Sequence, residues 1–223
     1  AAIVKEGGIC DAMSGDSADV FFIESMVQKA VQLYGQLSLA VCNAGITLYG
    51  TFLSYPANDF ERVMNVNLRG SFFLAQAAAN QFIRQNSGGS ILLMSSVTGH
   101  QGINNLAAYS MTKAALEMLA KNLVVELSPH HITVNALAPG ATITERTMGY
   151  DDYAKVWSSI TPMGRAATVH DIANAALFLL SPASRHITGQ SLVVDGGEDH
   201  HRRAARDGRL IRWESGFPPS GRT

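Results

Sequence analysis

Short apolar runs alternate with longer amphipathic segments along this chain, and the alternation restricts the fold more than any other feature. Five runs are typical of β-strands: residues 9–13, 37–42, 90–94, 132–138 and 191–197. Between them, apolar residues recur at helical spacing in residues 19–34, 57–86, 105–129 and 169–180. Strands that are apolar throughout and separated by helices form parallel sheets with helices on both faces. The sequence therefore predicts an α/β fold with a doubly wound parallel sheet.

The composition is that of one globular domain. Of the 223 residues, 47% are hydrophobic and 16% are charged, which is enough apolar surface for a sizeable core. No apolar run approaches the roughly 18 residues of a membrane span, and the N-terminus lacks a signal-peptide pattern. We therefore expect a cytoplasmic protein with no membrane partner. Cys10 and Cys42 have no cysteine or histidine cluster near them, which predicts reduced cysteines and no metal site.

The charge divides the chain into two parts. Residues 1–199 contain 11 Lys and Arg against 16 Asp and Glu, a net charge of −5, whereas residues 200–223 contain 6 Arg against 2 acidic residues, a net charge of +4. The second part shows neither helical nor strand periodicity, so we expect a disordered Arg-rich tail after a domain at 1–199. No basic folded surface accompanies this tail, and we therefore expect no nucleic-acid partner.

Small and polar residues follow three of the predicted strands. In parallel sheets, ligands bind beyond the carboxyl ends of the strands, where such residues leave backbone groups accessible. The residues are Asn43, Ala44 and Gly45 after the second run, Ser95 and Ser96 after the third, and Pro139 and Gly140 after the fourth. Any one of these segments alone is equally consistent with a tight turn.

A tyrosine and a lysine lie four residues apart in the predicted helix at 105–129. At this spacing the side chains of Tyr109 and Lys113 share one helix face. Such a pair is also ordinary on a helix surface, so its significance depends on the surrounding motifs.

Taken together, these motifs resemble the short-chain dehydrogenase/reductase family over about residues 8–197. Residues 43–45 resemble the N-A-G motif that follows a strand in the family. Four residues resemble the family's catalytic tetrad in order and spacing: Asn67, Ser96, Tyr109 and Lys113. The end of the match resembles bacterial 3-oxoacyl-carrier-protein reductases and glucose 1-dehydrogenases. The resemblance implies a single Rossmann-like domain.

The resemblance implies NAD or NADP as the cofactor. The positions that match the family's cofactor-binding residues are Asp16, Asn43, Ala44, Gly45, Tyr109, Lys113, Pro139, Gly140, Thr142 and Thr144, with Thr142 where the family's P-G-x-I-x-T has isoleucine. Asp16 has the family spacing to Asn43 for a contact with the adenine amino group. Equally, Asp16 or Asp19 caps the following helix, and Asp11 is a weaker candidate for the adenine contact.

The implied activity is an oxidoreductase reaction between NAD(P) and a small alcohol or ketone, with Tyr109 as acid/base. In the family, the serine donates to the substrate oxygen, the asparagine anchors a water, and the lysine binds the ribose hydroxyls. An ammonium about 4 Å from a phenol contributes about 4 kcal/mol at an effective dielectric of about 20, and one pKa unit corresponds to about 1.4 kcal/mol. We therefore expect Lys113 to lower the pKa of Tyr109 towards neutrality.

Two departures from the family pattern limit this transfer. The glycine-rich turn T-G-x-x-x-G-x-G, which holds the cofactor pyrophosphate, has no counterpart in residues 1–15, so the first β-α-β unit is missing. In the family's strand order, the predicted strand at 9–13 would lie roughly 14 Å from the strand at 37–42. We expect an N-terminally incomplete product of a longer gene, and the alternative function is a non-catalytic fragment unable to bind dinucleotide. The other departure is the tail after residue 197.

Three further expectations concern substrate and assembly. Residues 141–168 occupy the place of the family's substrate lid, and their polar and aromatic content suits a small polar carbonyl or alcohol substrate. His100 either touches this substrate or is an exposed loop histidine. The predicted helices at 57–86 and 105–129 resemble those that pair at subunit interfaces in the family, which implies a homodimer or homotetramer.

Overall fold

The computed structural model describes residues 2–149 and 152–199. Helices and strands alternate along these residues. The helices are α1 Ala2–Lys5, α2 Val20–Tyr34, α3 Ala57–Val63, α4 Gly70–Gln85, α5 Ala107–Leu127, α6 Tyr153–Ile160 and α7 Val169–Leu180. The strands are β1 Leu39–Cys42, β2 Gly89–Met94, β3 Ile132–Pro139, β4 Thr142–Ile143, β5 Ala167–Thr168 and β6 Ser191–Val194. Short 3₁₀ turns lie at Phe52–Ser54, Val97–Gly99, Ser128–His130 and Pro182–Ser184.

Four parallel strands form the central sheet in the order β1-β2-β3-β6. Cys42 at the end of β1 pairs with Leu93, and Met94 at the end of β2 pairs with Leu137. Strands β4 and β5 form a separate two-stranded parallel sheet after β3. The predicted α/β fold with a parallel sheet in one domain is confirmed, and four of the five predicted strands are present.

Helices pack on both faces of this sheet. On one face, Phe82 of α4 and Leu116 of α5 are completely buried in a core built on β1, β2 and β3. On the other face, Leu179 of α7 packs against Leu92 and Leu137. Helices α4 and α5 therefore cover the same face of the sheet.

The predicted strand at residues 9–13 is wrong. These residues form neither helix nor strand, and Ile9 is 84% exposed. A strand requires a neighbour to pair its backbone N–H and C=O groups. Within the described residues, β1 is the edge of the sheet, and Leu39 and Val41 remain 47% and 42% exposed there. Apolar content alone therefore does not make residues 9–13 a strand.

The predicted helices agree with the structure where local signals define their ends. Asp19 caps α2 by accepting a hydrogen bond from the Phe21 amide, and α7 begins with a capping box at Thr168. The predicted helix at 57–86 contains an interruption, because residues 64–69 form a π-helical segment between α3 and α4. Such segments are frequent at functional sites.

The remaining sequence expectations concern membranes, cysteines and the tail. Over residues 2–149 and 152–199, no helix is long and apolar enough to cross a bilayer. Cys10 and Cys42 are free thiols, and burial raises the pKa of the Cys42 thiol to about 12. The expected tail at 200–223 lies outside the described residues, as do positions 150 and 151 of the expected lid.

Candidate active site

The candidate active site lies along the sheet edge formed by the carboxyl ends of β1, β2 and β3. The strands are parallel and in register, so the segments that follow them leave the sheet side by side. These segments are residues 43–47, 95–100 and 140–147. The small and polar residues that are separate in the sequence therefore lie along one edge of the sheet, which is where ligands bind in parallel sheets.

Ser96 and Tyr109 meet beyond the end of β2. The side chains of Ser96 and Thr47 lie near the Tyr109 hydroxyl, and hydrogen bonding to them lowers the pKa of the phenol. The Ser96 Oγ also accepts a hydrogen bond from the Thr98 amide at 3.2 Å, which caps the short 3₁₀ turn after β2. This backbone contact fixes the position of the Ser96 hydroxyl. The neighbouring Ser95 hydroxyl is turned to a different partner, the Glu117 carboxylate.

The Lys113 side chain is buried beside Tyr109, with only 4% of the residue exposed. Its Nζ donates to the Met94 carbonyl oxygen at 2.6 Å and lies 5.4 Å from the centroid of the Tyr109 ring. Burial lowers the pKa of Lys113 to about 8, and the positive charge of Arg146 contributes in the same direction. The four-residue spacing therefore places the buried Lys113 beside the half-buried Tyr109.

The pKa of Tyr109 moves in the direction opposite to the expected one. Burial raises it above the ordinary value of 10, and the hydrogen bonds to Ser96 and Thr47 and the charge of Arg146 offset only part of this increase. The expectation that Lys113 dominates the pKa of Tyr109 was wrong because it started from the pKa of a solvated phenol. It left out the cost of burying the phenolate. Burial of the phenol disfavours the phenolate more than its surroundings favour it.

Asn67 is completely buried in the π-helical segment. Its Oδ1 accepts a hydrogen bond from the Ile46 amide at 2.8 Å, and its Nδ2 donates to the Ile46 carbonyl at 2.9 Å and to Thr112 Oγ1 at 3.3 Å. A Cβ at Gly45 would lie 3.5 Å from Asn67 Oδ1 and 3.6 Å from Lys113 Nζ. The glycine therefore leaves an open position directly beside two polar groups of the tetrad.

The other predicted cofactor residues lie at the ends of β1 and β3. Asn43 and Ala44 are exposed directly after β1. Pro139 ends β3, and the Gly140 amide donates to the Val194 carbonyl at 3.0 Å. These residues lie at the same edge of the sheet as the end of β2, which precedes Ser96.

The loop after β3 is held by its own hydrogen bonds. The Thr142 hydroxyl donates to the Gly140 carbonyl at 3.0 Å, and the Thr144 amide donates to Thr147 Oγ1 at 2.7 Å. A Cβ at Gly140 would lie 2.6 Å from the Cβ of Asp195, so only glycine fits there. Thr142 and Thr144 are half-buried at this loop.

Asp16 lies in an exposed loop before α2, and none of its described hydrogen bonds reaches the tetrad. Its Oδ1 accepts a hydrogen bond from the Ala18 amide at 2.8 Å, whereas Asp19 caps the helix. The capping alternative therefore holds for Asp19, and Asp16 forms a turn. Asp11 accepts a hydrogen bond from the Tyr34 hydroxyl at 2.8 Å. A contact of Asp16 with adenine stays a prediction.

Two residues of the site were missed by the sequence analysis. Thr47 lowers the pKa of Tyr109, and the charge of Arg146 lowers the pKa of both Tyr109 and Lys113. Thr47 follows Gly45 by two residues, so the strand-end rule could have identified it. Arg146 had no signal that distinguished it from other polar residues of the expected lid. Among the described residues, no three His, Cys, Asp or Glu side chains are grouped to hold a metal ion.

Known proteins resemble this chain in sequence and in structure. A family model described as enoyl-(acyl carrier protein) reductase matches residues 1–198. L-rhamnose 1-dehydrogenase (NAD(P)(+)) from a Sphingomonas strain is 37% identical over 191 residues, which cover 83% of this chain and 74% of that relative.

Two crystal structures share the fold. A short-chain type dehydrogenase/reductase from Mycobacterium marinum has a TM-score of 0.83 at 34% identity, covering 88% of this chain and 78% of its own. A gluconate 5-dehydrogenase from Burkholderia cenocepacia, in complex with NADP and tartrate, has a TM-score of 0.83 at 31% identity, covering 89% of this chain and 79% of its own. The chain belongs to the short-chain dehydrogenase/reductase family.

We predict that Lys113 makes the stability of the fold rise with pH. Its pKa falls from an ordinary 10.5 to about 8 on folding, so between these values the unfolded chain binds more protons than the folded chain. The free energy of unfolding therefore increases across this window, by up to about 1.4 kcal/mol per pKa unit, and the penalty for burying the charge persists below it. Urea unfolding near neutral pH and near the top of the window measures this increase.

Two variants isolate the contribution of Lys113. Lys113→Met removes the titrating group and reduces the increase, whereas Lys121→Met, at an exposed position of the same helix, keeps the wild-type pH dependence. Identical pH dependence in Lys113→Met and wild type would contradict the buried charge.

Proposed function

We propose that this chain transfers a hydride between NAD(P) and a small alcohol or carbonyl compound, with Tyr109 as the acid/base. As a member of its family, the chain is an NAD(P)-dependent oxidoreductase of sugar or carbonyl substrates, and the proposal assigns the roles of its residues. The observation that carries it is the position of Tyr109 beside the buried Lys113 and near Ser96, whose hydrogen bonding lowers the pKa of the phenol.

The residues present fit the nicotinamide and ribose half of a dinucleotide. Gly45 leaves space in front of Asn67 and Lys113, and a lysine ammonium is a suitable donor to ribose hydroxyls. The exposed backbone of residues 43–45 and the loop at Gly140 would border this half. When bound, the dinucleotide accepts or supplies the hydride. The side chains of this chain perform the proton transfer and orient the substrate.

Tyr109 exchanges a proton with the substrate oxygen. In carbonyl reduction the neutral phenol donates its proton as the alcohol forms, and the raised pKa of Tyr109 keeps the phenol neutral for this step. Ser96 donates a hydrogen bond to the same oxygen and stabilises the charge that develops there. In alcohol oxidation the phenolate accepts the proton, so oxidation by this chain is favoured at higher pH than reduction. Asn67 holds the loop at Ile46.

The substrate class that the site favours is a small polyhydroxylated alcohol or the corresponding carbonyl compound. The names of two relatives refer to L-rhamnose and to gluconate, which both carry several hydroxyl groups. The expected lid contributes Arg146 and Tyr153, and the charge of Arg146 acts on both Tyr153 and Tyr109. A guanidinium and a phenol near the acid/base suit hydroxyl or carboxylate groups of a substrate.

A second candidate function is a chain that keeps the fold but does not bind dinucleotide. One observation favours it: within the described residues, Leu39 and Val41 are exposed at the edge strand β1. Such a chain would retain the contacts of the tetrad without turnover. The two functions differ in whether the protein binds NADH or NADPH.

We also infer that a second copy of the chain covers a groove of about 480 Å³ between the π-helical segment, α4 and α5. Phe72 and Met118 line it and are 41% and 54% exposed, which is unusual for large apolar side chains beside one another. A homodimer or homotetramer would bury them. The cytoplasmic location stays a prediction from the sequence.

Sedimentation velocity tests this assembly. We expect a dimer or tetramer for the wild-type chain, and a shift towards monomer for Met118→Glu because the new carboxylate would be buried. Val125→Glu is the control, since Val125 is 81% exposed on α5 and does not line the groove. A wild-type chain that sediments only as a monomer would refute the inference.

Tyr109→Phe tests the proposed reaction. Removal of the hydroxyl deletes the group that exchanges the proton, so we expect kcat to fall by about 10²- to 10⁴-fold. The assay follows nicotinamide absorbance with NAD(H) and NADP(H) and a panel of sugars, sugar acids and small ketones. Tyr34→Phe, which removes an exposed hydroxyl on α2, is the control and retains the wild-type rate. Full turnover by Tyr109→Phe would refute the assignment.

A further inference from the structure

Glu117 is a buried carboxylate on α5, one turn after Lys113 and two turns after Tyr109. It is 7% exposed, and the proposed proton transfer does not use it. Removing a carboxylate from water is costly unless hydrogen-bond donors compensate for the lost solvation. The donors around Glu117 therefore indicate what this side chain does.

Both donors come from the segment that carries Ser96. The Ser95 Oγ donates to Glu117 Oε1 at 2.6 Å, and His100 Nε2 lies 3.0 Å from the same oxygen. Hydrogen bonds to an ionised acceptor are shorter and stronger than bonds between neutral groups. One carboxylate oxygen thus contacts both ends of the segment 95–100. His100, expected to be a substrate contact or an exposed histidine, is exposed and has this structural partner.

The backbone of this segment approaches the helix closely at the same place. A Cβ at Gly99 would lie 2.7 Å from Glu117 Oε1 and 3.2 Å from the Ala114 amide nitrogen, so glycine permits the approach. The Ser95 Oγ also lies 3.0 Å from the Lys113 carbonyl oxygen. Segment 95–100 is therefore seated on the turn of α5 that follows Lys113.

We infer that Glu117 is a positioning residue for the proposed reaction: it ties Ser95 and His100 to α5 and thereby keeps the Ser96 hydroxyl in contact with Tyr109. This inference rests on the proposed function. Ser96 lies between the two tethered residues in the chain, and Tyr109 lies on the same helix as Glu117. The carboxylate acts through Ser95 and His100, and it thereby sets the position of Ser96 relative to Tyr109.

The ionisation of Tyr109 tests this role without any dinucleotide. NMR of the protein labelled at the tyrosine ¹³Cζ follows the titration, and Tyr109→Phe assigns the resonance. The hydrogen bond from Ser96 lowers the pKa of Tyr109, so loss of positioning in Glu117→Ala raises the midpoint. Loss of the negative charge alone would lower the midpoint. The two effects therefore differ in sign.

Two control variants accompany Glu117→Ala. Glu117→Gln keeps an oxygen that accepts the hydrogen bond from the Ser95 hydroxyl, so the Tyr109 midpoint stays at or below the wild-type value. Glu126→Ala removes an exposed carboxylate from the same helix and leaves the midpoint unchanged. Ser95→Ala breaks the 2.6 Å bond and serves as the second test variant where circular dichroism shows that Glu117→Ala does not fold.

An upward shift of at least about half a pH unit in Glu117→Ala or Ser95→Ala, absent from the controls, supports the inference. An unchanged or lowered midpoint in whichever of these variants folds overturns it. In turnover, Glu117→Ala lowers kcat and leaves the KM for dinucleotide unchanged. Failure of the proposed function would show as a wild-type chain without turnover, which is separate from the outcome of the titration.

Discussion

The burial of Lys113 against the end of β2 is the interaction on which the rest of the site depends. The ammonium donates to the Met94 carbonyl at 2.6 Å and lies over the Tyr109 ring, so one side chain joins the sheet edge to helix α5. Gly45 approaches it from the end of β1. A charge in this position is costly, as its lowered pKa indicates, and residues around it must supply polar contacts.

Burial at this site also favours one direction of the proposed reaction, the reduction of a carbonyl group. Because partial burial raises the pKa of Tyr109, its phenol stays neutral and can donate a proton. Ser96, Thr47 and Arg146 lower the pKa again, and each of them lies on a different segment after a strand. In the proposed reaction, these three segments therefore help to set the proton affinity of Tyr109. Glu117 belongs to the same system because it fixes the segment that carries Ser96.

The sequence was informative wherever a local pattern determines local structure. The helix at 169–180 and the four strands of the central sheet follow from helical periodicity, apolar runs and caps, whereas the short strands β4 and β5 were not predicted. The strand at 9–13 failed because a strand depends on a neighbour that these residues do not have in the structure. Strand pairing is a property of the assembled sheet and has no signal in five residues of sequence.

The candidate site shows the same division between local and tertiary information. Ser96, Tyr109 and Lys113 were identified by their resemblance to the family's motif, and the structure brings them together. The direction of the Tyr109 pKa was missed because the burial of a phenol depends on packing and cannot be derived from an i, i+4 pair. Glu117 was missed because a glutamate four residues after a lysine is ordinary on a helix surface. Its burial distinguishes it, and burial appears only in the folded chain.

Binding of reduced dinucleotide tests the central claim most directly, because every proposed role depends on a nicotinamide beside Tyr109. The protein is titrated with NADH and with NADPH while nicotinamide fluorescence is followed. The account predicts saturable binding in the micromolar range for one of them, weakened in Lys113→Met and unchanged in Lys121→Met. A wild-type chain that binds neither at millimolar concentration would contradict the account.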